Sequence, residues 1–223
     1  PAGDSTTAAV AEVRRAQGQI VLRGPFQAAD EDDDDLERKA TLAPTGVDAD
    51  GNGTVDYVYA GDLRGNVWKF NLRGSASSGW GVAYSGAPLF TAKDSNNNAQ
   101  PITGGVTVSY NPYTFEPWVF FGTRRYLISA EKDDKTLQTW YGVVDGAAIT
   151  DGRTSLKGRS IVVGGIINGR PVRAFEKAVL GDMANKKGWY VDLLTPPTGS
   201  ATSRTADRER MVGNQVVVGR SVL

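Results

Sequence analysis

Two stretches of this chain share one design, and that repetition narrows the possible folds more than any other feature. YVYAGDLRGNVWKFNL, from Tyr57 to Leu72, runs as an apolar stretch, a glycine, a short polar turn and a second apolar stretch. WVFFGTRRYLISAE, from Trp118 to Glu131, repeats that order roughly 60 residues later. GWGVAY, TWYGVVDG and GWYVDL share a further pairing of aromatic residues with glycine. Degenerate strand units with recurrent glycine and aromatics mark propeller blades, because each blade buries its faces against its neighbours and none needs a core of its own. An ordinary β-sandwich is the alternative, since its turn spacing overlaps.

The rest of the chain agrees with short strands. Strand signals lie at Gly81–Tyr84, Pro88–Ala92, Gly105–Tyr110, Tyr126–Ala130, Ser160–Ile167, Pro171–Phe175, Gly188–Leu194 and Gln215–Leu223. Turn clusters such as SGAP, KDSNNN, YNPYT and TPPTGSATS separate them, and 27 glycines and 10 prolines supply the turns. No long helical run lies between Gly46 and Leu223, so strands do not alternate with helices as a parallel sheet requires. The expected fold class is therefore all-β, with antiparallel blades forming part of a β-propeller. At roughly 40–50 residues per blade, residues 41–223 provide three to four blades. The chain stops in mid-strand at Arg220–Leu223 and opens at Pro1 without a methionine, so it reads as a fragment or processed segment of a larger propeller.

Residues 1–40 read as an irregular arm. Val10, Val13 and Ile20 stand at a loose helical spacing that Gly18 interrupts, and Asp30–Asp35 (DEDDDD) reads as a solvated acidic insertion.

Composition closes several functions. With 25 basic and 25 acidic residues the chain is neutral, which gives no reason to expect nucleic acid. No run of about 18 apolar residues is present, so no transmembrane segment is expected. Cysteine and histidine are both absent, which removes Cys/His zinc sites, cysteine nucleophiles and Ser-His-Asp triads. A metal held here must be one that oxygen ligands suit, calcium or magnesium.

Such a site stands at Asp48-Ala49-Asp50-Gly51-Asn52-Gly53-Thr54-Val55-Asp56. Asp48, Asp50 and Asp56 fill positions 1, 3 and 9 of an EF-hand-type loop, Asn52 fills position 5, and Gly53 holds position 6, where the chain turns sharply. Thr54 holds position 7, where a backbone carbonyl is the usual ligand. Alternate side chains of a tightly curled loop point inward, and calcium takes six to eight hard oxygens. Position 12 is Tyr59 rather than glutamate, and a strand follows instead of a helix, so the bidentate closing ligand is missing. The alternatives are a metal-free polar turn or a calcium that only staples a blade corner. Asp62 reads as a turn cap. The five tryptophans read as packing rather than as a sugar platform. No acid–base pair stands out as catalytic.

VDADGNGTVDYVYAGDLRGNVWKFNL, from Val47 to Leu72, resembles the signature of the PilY/PilC family of type IV pilus tip-associated proteins and adhesins. WVFFGTRRYLI, TWYGVVDG and GWYVDL with RERMVGNQVVVGRSVL resemble later parts of the same family, so the resemblance covers residues 41–223. It implies a modified, quinoprotein-like propeller with one calcium held at Asp48, Asp50, Asn52, Thr54 and Asp56. It also implies export to the pilus tip, outer membrane or cell surface, pilus components such as minor pilins and host surfaces as partners, and calcium tuning of pilus extension, retraction and attachment. No Arg-Gly-Asp tripeptide is present. Two other readings compete: a calcium-stapled structural or carbohydrate-binding propeller, and, more remotely, a quinoprotein dehydrogenase, many of which use vicinal cysteines absent here.

Overall fold

The computed structural model describes residues 12–16, 19–23, 44–74, 76–124, 129–196, 204–211, 215–218 and 221–222. Its strands are β1 (Glu12–Ala16), β2 (Gln19–Arg23), β3 (Thr45–Val47), β4 (Tyr57–Gly61), β5 (Asn66–Asn71), β6 (Gly81–Val82), β7 (Phe90–Thr91) and β8 (Thr107–Tyr110). They continue with β9 (Pro117–Gly122), β10 (Thr139–Val144), β11 (Lys157–Arg159), β12 (Ile161–Ile167), β13 (Arg170–Phe175), β14 (Gly188–Asp192), β15 (Val217–Val218) and β16 (Ser221–Val222). Among the described residues the only helical elements are short 3-10 turns.

Two five-stranded sheets carry the fold. The first has the order β3-β4-β5-β6, with β7 also paired to β5; the second has the order β11-β14-β10-β9-β8. The pairings are antiparallel apart from β11 with β14, which is parallel. β1–β2, β12–β13 and β15–β16 form separate two-stranded ribbons.

Alternation along β4 and β5 explains how the first sheet is buried on both sides. Tyr59 and Val67 face the second sheet, where Val119, Phe121, Tyr141 and Val143 meet them with Leu89, Phe90, Ile102 and Ile149. Val58, Ala60, Trp68, Phe70 and Leu72 form a second cluster on the opposite face, under Trp80 and Val82. Phe121 and Tyr141 stack with ring centroids 5.1 Å apart, and Phe90 leans on Tyr141 at 5.3 Å. Each such fully buried side chain contributes about 1.5–3 kcal/mol. Main-chain bonds also cross the seam: Ile149 N–H donates to the Leu89 carbonyl at 2.7 Å, and Ile102 N–H to the Asp62 carbonyl at 2.9 Å.

The far face of the second sheet carries Trp118, Phe120, Trp140 and Trp189, with Trp140 and Trp189 edge-on at 5.0 Å. The tryptophans therefore pack, as their position in strands predicts. Bare glycines let this face be covered: a Cβ at Gly122 would stand 2.1 Å from the Cβ of Met211.

Several expectations are corrected. The described residues form two five-stranded sheets rather than three to four blades. Each sheet takes five strands, and β12–β13 consumes a hairpin's length without joining either. The parallel β11 and the edge strand β3, only three residues each, gave too short a pattern to read. The loose helical spacing near the N-terminus is instead a ribbon, with Val13 opposite Leu22 and Arg15 opposite Ile20. Three residues at helical spacing, interrupted by Gly18, are too weak a periodicity to set a helix, and Val10 lies outside the described residues. Ser129–Asp133 is a 3-10 turn where a strand over Tyr126–Ala130 was expected; residues 125–128 lie outside the described residues, as does the acidic run Asp30–Asp35.

Candidate metal centre

The Asp-rich loop is the connection from β3 to β4, and its ends are pinned by the sheet. Asp56 N–H donates to the Val47 carbonyl at 2.8 Å, closing the loop at its neck. Leu72 N–H donates to the Asp56 carbonyl at 2.8 Å, tying the same residue to the end of β5. Between these points the chain curls through Gly51 and Gly53, at φ +75° and +86°, a backbone region that glycine enters without steric cost.

The curl brings Asp48, Asp50 and Asp56 together. One carboxylate oxygen from each lies within 4.8 Å of the others. Asp48 and Asp50 are exposed, whereas Asp56 is 5% exposed. Backbone donors hold the curl. Gly51 N–H and Gly53 N–H reach the two oxygens of Asp48 at 2.7 Å each, and Asn52 N–H reaches Asp48 and Asp50 at 3.2 Å. Ala49 N–H donates to Asp56 Oδ2 at 2.7 Å. The Gly53 N–H foremost, with those of Gly51 and Asn52, holds the Asp48 carboxyl below its ordinary range, and desolvation opposes them.

Asn52 and Thr54 are engaged with each other: Asn52 Oδ1 accepts from Thr54 N–H at 2.8 Å and from the Thr54 hydroxyl. The structure thus gathers three of the five predicted ligands by their side chains and seats the other two in the same curl. Tyr59, at the place of the missing closing glutamate, points into the core between the sheets and is 2% exposed.

One participant escaped sequence reasoning. Arg73, two residues beyond β5, donates from Nε to Asp56 Oδ1 at 3.2 Å, and its Nη2 lies 4.0 Å from Asp50 Oδ2. Its guanidinium also stands 5.3 Å from the centre of the Tyr57 ring. The bond to Asp56 is the main cause that raises its already high pKa. Neither residue spacing nor loop pattern signals this pairing, because it depends on β5 returning beside β4.

A second polar cluster lies between the sheets. Asp145, whose carboxylate is fully buried, accepts from Lys69 Nζ at 2.7 Å, from the Tyr59 hydroxyl at 2.5 Å and from the Tyr84 hydroxyl. Lys69 also stands 4.1 Å over the Tyr57 ring. Burial, then the bond to Asp145, pushes the Tyr59 and Tyr84 hydroxyls well above the ordinary tyrosine range. This is an ion pair locking two sheets, not a metal site. Asp62 caps the β4–β5 turn as expected, accepting from the N–H of Arg64 and Asn66 and from Trp68 Nε1 at 2.8–2.9 Å.

The donor set fits calcium: hard oxygens in a closed curl, with no nitrogen or sulfur side chain among the three clustered acids. Two sheets, antiparallel apart from β11 with β14, with an Asp-rich loop at the edge of the first, define the class as propeller-type blades. The family model of the PilY1 beta-propeller domain matches residues 36–168, and the chain belongs to that family. A Xylella fastidiosa protein described as a type IV pilus biogenesis factor PilY1 homolog is 33% identical over 216 residues, covering 92% of this chain and 14% of that protein. The PilY1 of Pseudomonas aeruginosa is 35% identical over 124 residues, covering 46% of this chain and 11% of that protein. The crystal structure of the P. aeruginosa PilY1 C-terminal domain superposes with a TM-score of 0.66 at 26% identity, covering 80% of this chain and 42% of that one. The chain therefore spans only 14% and 11% of the length of these two curated relatives.

Proposed function

We propose that this chain is a calcium-binding propeller module of a type IV pilus biogenesis factor, one part of a larger propeller. In this reading it is exported to the pilus tip, outer membrane or cell surface and works through partners, minor pilins and host surfaces, rather than by catalysis. The observation that carries the metal reading is the convergence of Asp48, Asp50 and Asp56. The pilus role rests on what the relatives are described as being.

Asp48, Asp50 and Asp56 would hold the ion by a carboxylate oxygen each, Asn52 by its amide oxygen and Thr54 by its backbone carbonyl. When bound, calcium supplies the positive charge that offsets three clustered carboxylates. The chain itself transmits the result. Asp56 is bonded through its main chain to Val47 and Leu72, so ordering the loop stiffens the β3–β4–β5 edge. For regulation, that edge must differ between metal-free and metal-bound states in its affinity for a partner.

The same anchoring favours a second reading, a staple without regulation. The test is calcium titration calorimetry on metal-stripped protein, followed by pilus assembly and twitching in cells carrying Asp48→Ala or Asp56→Ala in the full-length protein. One calcium per chain, lost in both variants with altered pilus function, supports the proposal. Calcium binding whose loss leaves extension, retraction and attachment unchanged leaves the staple. A folded wild type that takes up no calcium removes both.

A further inference from the structure

Arg73 is placed where a cation competing for the loop would have to stand. Leu72 is fixed by its N–H bond to the Asp56 carbonyl, so the next side chain emerges beside the loop's buried acid. The guanidinium takes Asp56 Oδ1 at 3.2 Å and lies within 4.0 Å of Asp50. The loop's own N–H groups satisfy the rest: Ala49 takes the other oxygen of Asp56, and Gly51 and Gly53 take Asp48. Asp56 Oδ1 is thus the oxygen that a side chain, not the curl, holds. The Arg73 side chain is 47% exposed and rests near the Tyr57 ring, so it can withdraw without opening the core.

We propose that Arg73 is a built-in competing cation that sets the calcium threshold of this loop, an inference that rests on the calcium reading of the site. A calcium ion sits roughly 2.3–2.6 Å from each oxygen ligand. Asp56 Oδ1 cannot take that position and keep its guanidinium bond without bringing two like charges close together. Calcium therefore enters as Arg73 leaves. In the metal-free loop Arg73 offsets the mutual repulsion of Asp50 and Asp56, and its loss to solvent subtracts from the affinity the carboxylates would otherwise give. The device keeps the loop folded at low calcium and raises the concentration at which it fills.

The experiment is calcium calorimetry on metal-stripped wild type, Arg73→Gln, Arg73→Met (which keeps an apolar stem near Tyr57) and Arg73→Lys, with metal-free melting curves alongside. Both neutral variants are expected to bind about tenfold tighter, a change of ~1.4 kcal/mol, and to melt lower when metal-free. Arg73→Lys, which keeps the charge, is expected within about threefold of wild type. Equal or weaker binding in both neutral variants overturns the proposal, because Arg73 would then support the ligands instead of competing with the ion. Lysine behaving like glutamine also overturns it, since charge would not be the competitor. Silence from all four folded proteins shows that the calcium reading itself has failed and takes this inference with it.

Discussion

Removing the carboxylate at Asp145 is the sharpest perturbation of the seam between the two sheets. Its side chain is 0% exposed and that of Lys69 is 13% exposed, with 2.7 Å between them. Asp145→Ala leaves the Lys69 ammonium without its counter-charge and strips the Tyr59 and Tyr84 hydroxyls of their acceptor. Removing one partner of a buried pair costs about 3–5 kcal/mol, and a buried hydroxyl left unsatisfied about 1–3 kcal/mol. Water entering the vacated space and the Tyr57 ring under Lys69 offset part of this, so about 3–5 kcal/mol in total is expected. At a urea m-value of roughly 2 kcal/mol/M, the midpoint falls by about 1.5–2.5 M. Urea unfolding followed by tryptophan fluorescence reads this directly. The double variant Lys69→Met with Asp145→Leu, which removes both charges, is expected to regain much of the loss. A cost below about 1 kcal/mol for Asp145→Ala, or a double variant no better than the single, would refute the latch.

Asp48→Ala and Asp56→Ala should both abolish calcium binding in calorimetry, and Asp56→Ala should lower metal-free stability more, by about 1–3 kcal/mol, because it leaves the Ala49 N–H and Arg73 without their acceptor beside the sheet, whereas the Gly51, Asn52 and Gly53 N–H groups that lose the exposed Asp48 regain water. Gly65→Ala should cost more than about 2 kcal/mol in urea unfolding: φ is +81°, and the new Cβ would lie 2.6 Å from the Ala92 carbonyl oxygen and 2.7 Å from that of Gln100. Alkaline stability should fall above pH ~10. Burial raises the pKa of Tyr59, Tyr84 and Tyr141 in the folded state, so their contribution is intact below the unfolded value and is lost as unfolded tyrosines ionise. The slope approaches about 1.4 kcal/mol per pH unit for each fully protected tyrosine, with the more open Tyr84 adding less. Urea midpoints from pH 8 to 11 should show this slope, reduced in Tyr141→Phe, and a flat profile would contradict it.

Local chemistry made part of this molecule readable in advance. The β4–β5 hairpin follows from apolar strands around Asp62 and Gly65, because an aspartate cap and a glycine at positive φ act within a few residues of themselves. The Asp48–Asp56 curl follows for the same reason: its glycines and alternating Asx residues sit next to the backbone donors they need. What sequence could not supply are the partners brought in by chain reversal. Arg73 meets Asp56 across 17 residues, Lys69 meets Asp145 across 76 and Tyr59 meets Asp145 across 86. The three-residue strands β3 and β11 take their places from neighbours rather than from any pattern of their own. The strand-rich class, the tight turns and the ring of candidate ligands are all consequences of spacing along the chain. Which cation stands beside that ring and which buried charge joins the sheets depend on distances that exist only once β5 pairs with β4 and the second sheet, with β10, packs across from them.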